Sequence, residues 1–432
     1  LKSAECMKAS VGELEKYLVK EEGTSKGTLV LGTVYGDVHD IGKNLVKTIF
    51  QNNGYSVYDL GKQVPLQKFL EKIDEVKPDA IGLSALLVST SKQMKFFVEH
   101  ARKNNMTVPI LCGGAAINSN YINRIAKEGG IYDPGVFYCN TMFEGLKTMD
   151  TLISDDKPKL LEEWKTKLEN WKERTNTPVD PSTLPRSNVQ TVDPPTPKII
   201  GEPIRLKLDQ INMGEVWTMI DKKSLFKLSW GLRGKAGAES EEEHEQLLTE
   251  WKIRIIRDKL IEPEVVYGYF KCHNAGQKLL VENPSGDDVE FDFPRSTKPE
   301  HLCLTDYFGT DDVVAFQSVT VGTKVSDVLE TWNDEDKYTD AYYLHGLAVE
   351  LAEALAQWIN QKIKSELNLV KGALRYSWGF PSCPDVSQHH LVWKLLEPEK
   401  SGMTLTESGQ IIPEQSTAAI VIHHPDAKYF VI

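Results

Sequence analysis

The sequence predicts a doubly wound α/β domain built on a five-stranded parallel sheet, followed by an α+β domain. Three observations carry this. Five apolar runs alternate with helical segments between residues 28 and 150. Those runs are apolar throughout rather than at alternate positions, as in a parallel sheet covered on both faces. After about Ile204 long helical patterns mix with longer strand-like runs, and no internal repeat is present.

The elements follow in order. "TLVLGTV" leads to a helix from about Gly42, "YSVYDLG" to one near Leu66, and "AIGLSALL" to one near Ser91. "VPILCGG" precedes a helix near Ile117, and "GVFYC" precedes one near Phe143. Ahead of them, Ala4 to Leu18 has apolar residues at helical spacing and reads as one amphipathic helix. A lone helix cannot bury its stripe. With Leu1 running straight into that pattern, the chain reads as a piece of something longer, with residues 1–24 a remnant of an upstream helical unit. Beyond about Asp155 a charged helical stretch enters a run with seven prolines and few apolar residues. Residues 156–203 therefore read as a connector that lets two folded parts move. In the second domain, residues 204–432, helices are expected over Glu239–Arg257 and Asp340–Leu367. Strands are expected at "EVVYGYFKC", "DVVAFQSVTVG" and "AAIVIHH".

Composition narrows the function. A net charge of -12 argues against a nucleic-acid partner. No apolar run is long enough to cross a bilayer, and no segment reads as a signal peptide. Six scattered cysteines form no C-x-x-C pair, which suggests neither a zinc site nor a disulfide framework and fits a reducing cytoplasm.

The chemistry concentrates in "GDVHDIGKN", Gly36 to Asn44, just after the first strand. Doubly wound sheets bind ligands beyond the carboxyl ends of their strands. A histidine there can present one ring nitrogen outward while a carboxylate two residues back holds the other, the usual arrangement behind a metal-ligating imidazole. Gly42 leaves backbone room. Taken alone, D-x-H favours a polar turn capping a helix. Small residues after the third strand (Gly82, Ser84, Ala85), the hydroxyls Ser89, Thr90 and Ser91, and the Gly113–Gly114 pair add a channel for a long ligand group. No nucleotide-binding G-x-G-x-x-G is present.

"GDVHDIGKN", "GLSALLVST" and "GG" together resemble the cobalamin-binding domain of B12-dependent methyltransferases and mutases, a flavodoxin-like fold. The resemblance implies that cobalamin binds with its own base displaced and that His39 is the cobalt ligand. It makes Asp37, His39 and Thr90 a catalytic relay, with Thr90 where the family has serine. It implies cobalamin contacts from Gly36, Asp37, Val38, His39, Asp40, Gly42, Ser84, Val88, Gly113, Gly114 and Thr141, with Val88 replacing a family threonine. The second domain chooses among such families. "GALRYSWGFPSCPDVSQHHLVWKLL", "SGMTLTES" and "HHPDAKYF", in that order, resemble the activation domain of the cobalamin-dependent methionine synthase family. The S-adenosylmethionine contacts implied are Asp221, Glu353, Arg375, Gly379, Tyr429 and Phe430, with Phe430 where the family has tyrosine. The acids suit the ligand's cationic groups, Arg375 its carboxylate, and Tyr429 a ring face.

The resemblance implies a methyltransferase that carries a methyl group as methylcobalamin between methyltetrahydrofolate and homocysteine. It also implies reductive remethylation with S-adenosylmethionine and an electron from a flavodoxin-type or reductase partner. We expect His39 to be the switch between turnover and reactivation. The homocysteine module with its zinc, and the folate module, are expected upstream or on separate chains. Two alternatives stay open: a stand-alone corrinoid methyl carrier with a fused reactivation domain, and a non-catalytic cobalamin sensor.

Overall fold

The computed structural model describes residues 25–39, 41–172, 181–232, 238–335 and 337–432. The expected N-terminal helix and Asp40 lie outside them. No described helix is long and apolar enough to cross a membrane. The chain divides between residues 177 and 178 into two compact units.

The first unit holds strands β1 (Thr28–Thr33), β2 (Ser56–Asp59), β3 (Ala80–Ser84), β4 (Ile110–Gly113) and β5 (Val136–Tyr138). They pair in parallel in the order β2-β1-β3-β4-β5. Between and after them run helices α1 (Ile41–Asn52), α2 (Leu66–Val76), α3 (Val88–Lys103), α4 (Ser119–Lys127), α5 (Met142–Leu152) and α6 (Lys157–Asn170). Alternate strand residues feed two cores. Val30, Ile81, Leu83, Ile110 and Val136 pack on one face, and Leu29, Leu31, Ala80, Leu111 and Phe137 on the other. Burial on both faces is why these runs carry no polar alternation. The strand order reverses between β1 and β3, so their carboxyl ends open a crevice.

The stretch read as one connector divides between the units. Its helix α6 belongs to the first: Leu168 is 2% exposed, and Trp164 Nε1–H donates to Val136 O at 3.0 Å. Its later residues lie on the second unit, where Ser187 Oγ donates to Asp306 at 2.7 Å and Gln190 O accepts from His424 at 2.7 Å.

The second unit is one antiparallel sheet with helices on both sides. The sheet order is β11-β14-β10-β7-β8-β9, with β6 also on β7. The strands are β6 (Ile204–Leu206), β7 (Glu264–Ala275), β8 (Lys278–Val281), β9 (Val289–Asp292), β10 (Asp312–Thr320), β11 (Leu374–Ser377) and β14 (Ser416–Ile422). A two-strand ribbon, β12 (Thr404–Leu405) and β13 (Ile411–Ile412), stands apart. The helices are α7 (Met213–Thr218), α8 (Ala238–Arg257), α9 (Lys324–Asp334), α10 (Tyr338–Glu366) and α11 (His389–Leu396). Here the pleat alternates cleanly. Val265, Tyr267 and Tyr269 join the core with α10, while Val266, Phe270 and Cys272 join the core with α11. Alanines 341, 348, 352, 354 and 356 of α10 are buried, which lets this long helix lie close to the sheet.

Candidate functional site

The first site is built where β1 and β3 end. Thr33 pairs with Ser84, and Ser84 pairs with Gly113, so the three form one row across the sheet's mouth. Past Thr33 the chain turns sharply: Val34 N–H donates to Ser84 O at 3.0 Å, and Asp37 N–H to Val34 O at 3.1 Å. Gly36 takes φ +79°, which glycine reaches without a Cβ penalty. Gly114 is the tighter case. A Cβ there would sit 2.0 Å from Ala85 O, and its φ is +122°. Around Gly42 a Cβ would meet nothing within 4 Å.

Asp37 lies in this turn with no exposed surface. A buried carboxylate must be paired, and this one is. Oδ1 accepts from the His39 amide at 3.1 Å and from its ring Nδ1 at 2.8 Å. Oδ2 accepts from Leu86 N–H at 2.7 Å and from the Thr90 hydroxyl at 2.7 Å. Leu87 O, at 3.0 Å, competes for the Thr90 proton, but the carboxylate is nearer and charged. Burial pushes the Asp37 carboxyl up. The hydrogen bond and charge of His39, with the bonds from Thr90 and Leu86, outweigh it, and the group titrates below its ordinary value.

An ionised carboxylate only accepts, so the contact assigns the proton of His39 to Nδ1. In the neutral ring the lone pair is then on Nε2. The histidine side chain is 22% exposed. Beside it Val38 is 5% exposed, whereas Val88, the first residue of α3, is 73% exposed. Ser84 and Gly113 stay in the sheet row. Thr141 caps α5, its Oγ1 accepting from Glu144 N–H at 3.2 Å. Tyr35, Leu86 and Phe143 are exposed apolar side chains in the loops and first helical turns at this end of the sheet.

The second site lies on β11 and α10. Leu374 and Tyr376 face the α11 core, so Arg375 faces the other way, toward α10. There its guanidinium pairs with Glu353. Arg375 is 17% exposed and Glu353 is 42% exposed along their side chains. One turn earlier on α10, Glu350 is 8% exposed and accepts from Ser224 Oγ at 2.8 Å and Ser229 Oγ at 2.9 Å. Ser224 immediately precedes a π-helical turn, Leu225–Ser229, and Ser229 ends it. Asp221 starts that segment, its Oδ1 accepting from the amides of Lys223 at 3.0 Å and Ser224 at 3.1 Å. Gly379 takes φ +96° in the turn that bridges Phe380 to Cys383. Tyr429 is 66% exposed with its ring 5.3 Å from that of Tyr376, and Phe430 packs against the α11 core.

Residues 212–432 match the family described as "Vitamin B12 dependent methionine synthase, activation domain". The chain belongs to this family. Residues 27–147 match the B12 binding domain. The chain is 33% identical to "Methionine synthase" of Mycobacterium tuberculosis over 494 aligned residues, covering 100% of this chain and 41% of that protein. Methionine synthase of Mycobacterium leprae is also 33% identical, with the same coverage. The chain thus spans 41% of the length of these curated relatives. A solved structure described as the MetH reactivation domain bound to AdoHcy is 20% identical, with a TM-score of 0.48, covering 56% of this chain and 83% of that one.

The His39 site fits the cofactor of this methionine synthase family. It offers one imidazole with a carboxylate fixed behind it. A metal held by one protein ligand must bring its other ligands with it, as a corrin does. Sequence reasoning missed Glu350, Ser224 and Ser229. The signal was there: an acid at position 350 interrupts the buried stripe Leu347, Leu351, Ala354. A cavity of about 560 Å3 in the second unit, beside Arg186 and Arg295, touches none of the predicted residues.

Proposed function

We propose that this chain is the cobalamin-carrying and reactivating part of a methionine synthase. The observation that carries this reading is the buried Asp37 carboxylate shared between the His39 ring and the Thr90 hydroxyl. When bound, cobalamin supplies a cobalt that takes up and gives away a methyl group. His39 would hold that cobalt through Nε2. Asp37 holds the Nδ1 proton, so the ring cannot turn that lone pair away. Thr90 and the Leu86 amide hold Asp37 in turn. The open side of Gly42, where a Cβ would meet nothing within 4 Å, leaves room for the cofactor's tail. Methyltetrahydrofolate and homocysteine are the methyl donor and acceptor, handled by modules upstream or on separate chains.

The second unit is read as the S-adenosylmethionine site. That ligand is zwitterionic at its amino-acid end. Entering between Arg375 and Glu353, it exchanges one internal ion pair for two, its carboxylate on the guanidinium and its ammonium on Glu353. Asp221 offers a further carboxylate, and Tyr429 an exposed ring. Residues 25–155 with helix α6 form the cobalamin domain, and residues 204–432 form the activation domain. An electron donor of flavodoxin or reductase type completes reactivation. The five described cysteines are all free thiols, which suits a reducing cytoplasm.

The test is the absorption spectrum of bound cob(II)alamin in the wild-type chain and in His39→Ala. Distinct spectra support the reading, and identical ones overturn it. In parallel, S-adenosylmethionine binding should be lost in Arg375→Ala.

A further inference from the structure

Lys43 is a buried cation that the reading above leaves unused. It lies in the first turn of α1, and its side chain is 1% exposed. Nζ donates to both Asp59 oxygens at 2.6 Å and to Asn44 Oδ1 at 2.6 Å. Local helix physics does not favour this. A cation in the first turn opposes the helix dipole, and taking an ammonium out of water is unfavourable until a partner offsets it. The arrangement makes sense as a device for geometry rather than for stability.

Its partner shows what is being held. Asp59 ends β2 and accepts from Gly61 N–H at 2.9 Å, so the loop after β2 is tied to the start of α1. The same loop is tied to the turn after β1. Gln63 N–H donates to Asp37 O at 3.0 Å, and Gly61 O accepts from Thr33 N–H at 3.0 Å. To reach Asp37, Gln63 takes φ +54°, an uncommon conformation for a residue with a Cβ. One loop, residues 59–63, therefore grips the chain on both sides of His39, at residue 37 and at residue 43.

The geometry points to Lys43 and Asp59 as positioning residues for the His39 imidazole, resting on the reading of His39 as the lower ligand of cobalt. Asp37 sets the rotation of the ring. The Lys43–Asp59 pair sets where the backbone that carries the ring ends. A ligating side chain must be held to about 0.5 Å; Thr33 Oγ1 donates to the His39 carbonyl at 3.1 Å and holds the strand side, and the Lys43–Asp59 pair holds the helix side. Lys47 Nζ also pairs with that carboxylate, but at 3.7 Å and on a 40% exposed side chain, a longer and more solvated contact.

The test uses the whole chain loaded with cob(II)alamin. Wild type is measured first by electron paramagnetic resonance: absence of a protein-histidine ligand there defeats the ligand reading itself. The double variant Lys43→Met with Asp59→Asn removes both buried charges and leaves neither unpaired. We expect a native circular dichroism spectrum, about 10-fold weaker cobalamin binding and a mixed spectrum of ligated and unligated cobalt. Lys47→Met is expected to match wild type in all three. Wild-type affinity and a single ligated species in the double variant overturn the proposal. If the double variant loses its fold, Lys43→Arg, which keeps the pair but alters its reach, decides: a mixed spectrum supports the grip and a wild-type spectrum overturns it.

Discussion

Replacing Asp37 by asparagine keeps the shape of the side chain and removes its charge and one acceptor. The structure shows why no orientation of the amide is tolerated. Five donors at 2.7–3.4 Å converge on the carboxylate, two on Oδ1 and three on Oδ2. With the amide nitrogen toward Leu86, that backbone N–H loses its acceptor. With the nitrogen toward His39, the His39 amide loses its acceptor and the ring must accept at Nδ1, which moves its proton to Nε2 and removes the ligand lone pair. A buried donor left without an acceptor costs about 1–3 kcal/mol, and the bonds that survive lose roughly 1 kcal/mol of charge assistance. We expect a loss of about 3 kcal/mol from the first unit. Hydrogen exchange of the β1 amides isolates that unit from the second. Such a loss accelerates exchange through global opening by about 100-fold. Acceleration below about 3-fold, with cobalamin still ligated by protein, would refute the reasoning.

Further outcomes are expected elsewhere. Gly114→Ala puts a Cβ 2.0 Å from Ala85 O at φ +122°, and should cost the first unit more than about 3 kcal/mol in urea unfolding. His389 donates Nδ1–H to Gly409 O at 2.7 Å, and burial holds its imidazole down at about 4 against an ordinary 6.5. The folded state therefore keeps it neutral while the unfolded chain takes up a proton. Stability is full above about pH 6.5, falls as pH drops toward 4, and loses about 3 kcal/mol in total. His389→Phe should flatten that slope in urea midpoints followed between pH 7 and 4.5. Glu353→Gln should weaken S-adenosylmethionine binding about 10- to 100-fold by calorimetry, as expected when one charge-assisted contact is lost, while leaving cobalamin binding unchanged.

Most of the architecture was legible because burial dictates pattern. Continuous apolar runs mark strands covered on both faces, and the order of elements leaves a parallel sheet as the economical solution. The contacts of the His39 site were legible for a local reason: Asp37 and His39 are two residues apart, and Thr90 follows β3 by a fixed number of residues. What stayed hidden depends on distant chain segments. Nothing local tells that Arg375 pairs with Glu353, since a strand and a helix must first be packed together. Lys43 reads as an ordinary polar helix residue until Asp59 arrives from the end of β2. The connector misled for a related reason. Its charge and prolines signalled extension, but Leu168 and Trp164 anchor one part and Ser187 the other.

The central claim is that the lone pair of His39 is a cobalt ligand. Electron paramagnetic resonance of bound cob(II)alamin in protein labelled with nitrogen-15 histidine tests it most directly. The account predicts that the superhyperfine splitting of cobalt changes from a triplet to a doublet. A triplet that persists would assign the ligand to the cofactor's own base and leave Asp37, His39 and Thr90 as a buried turn.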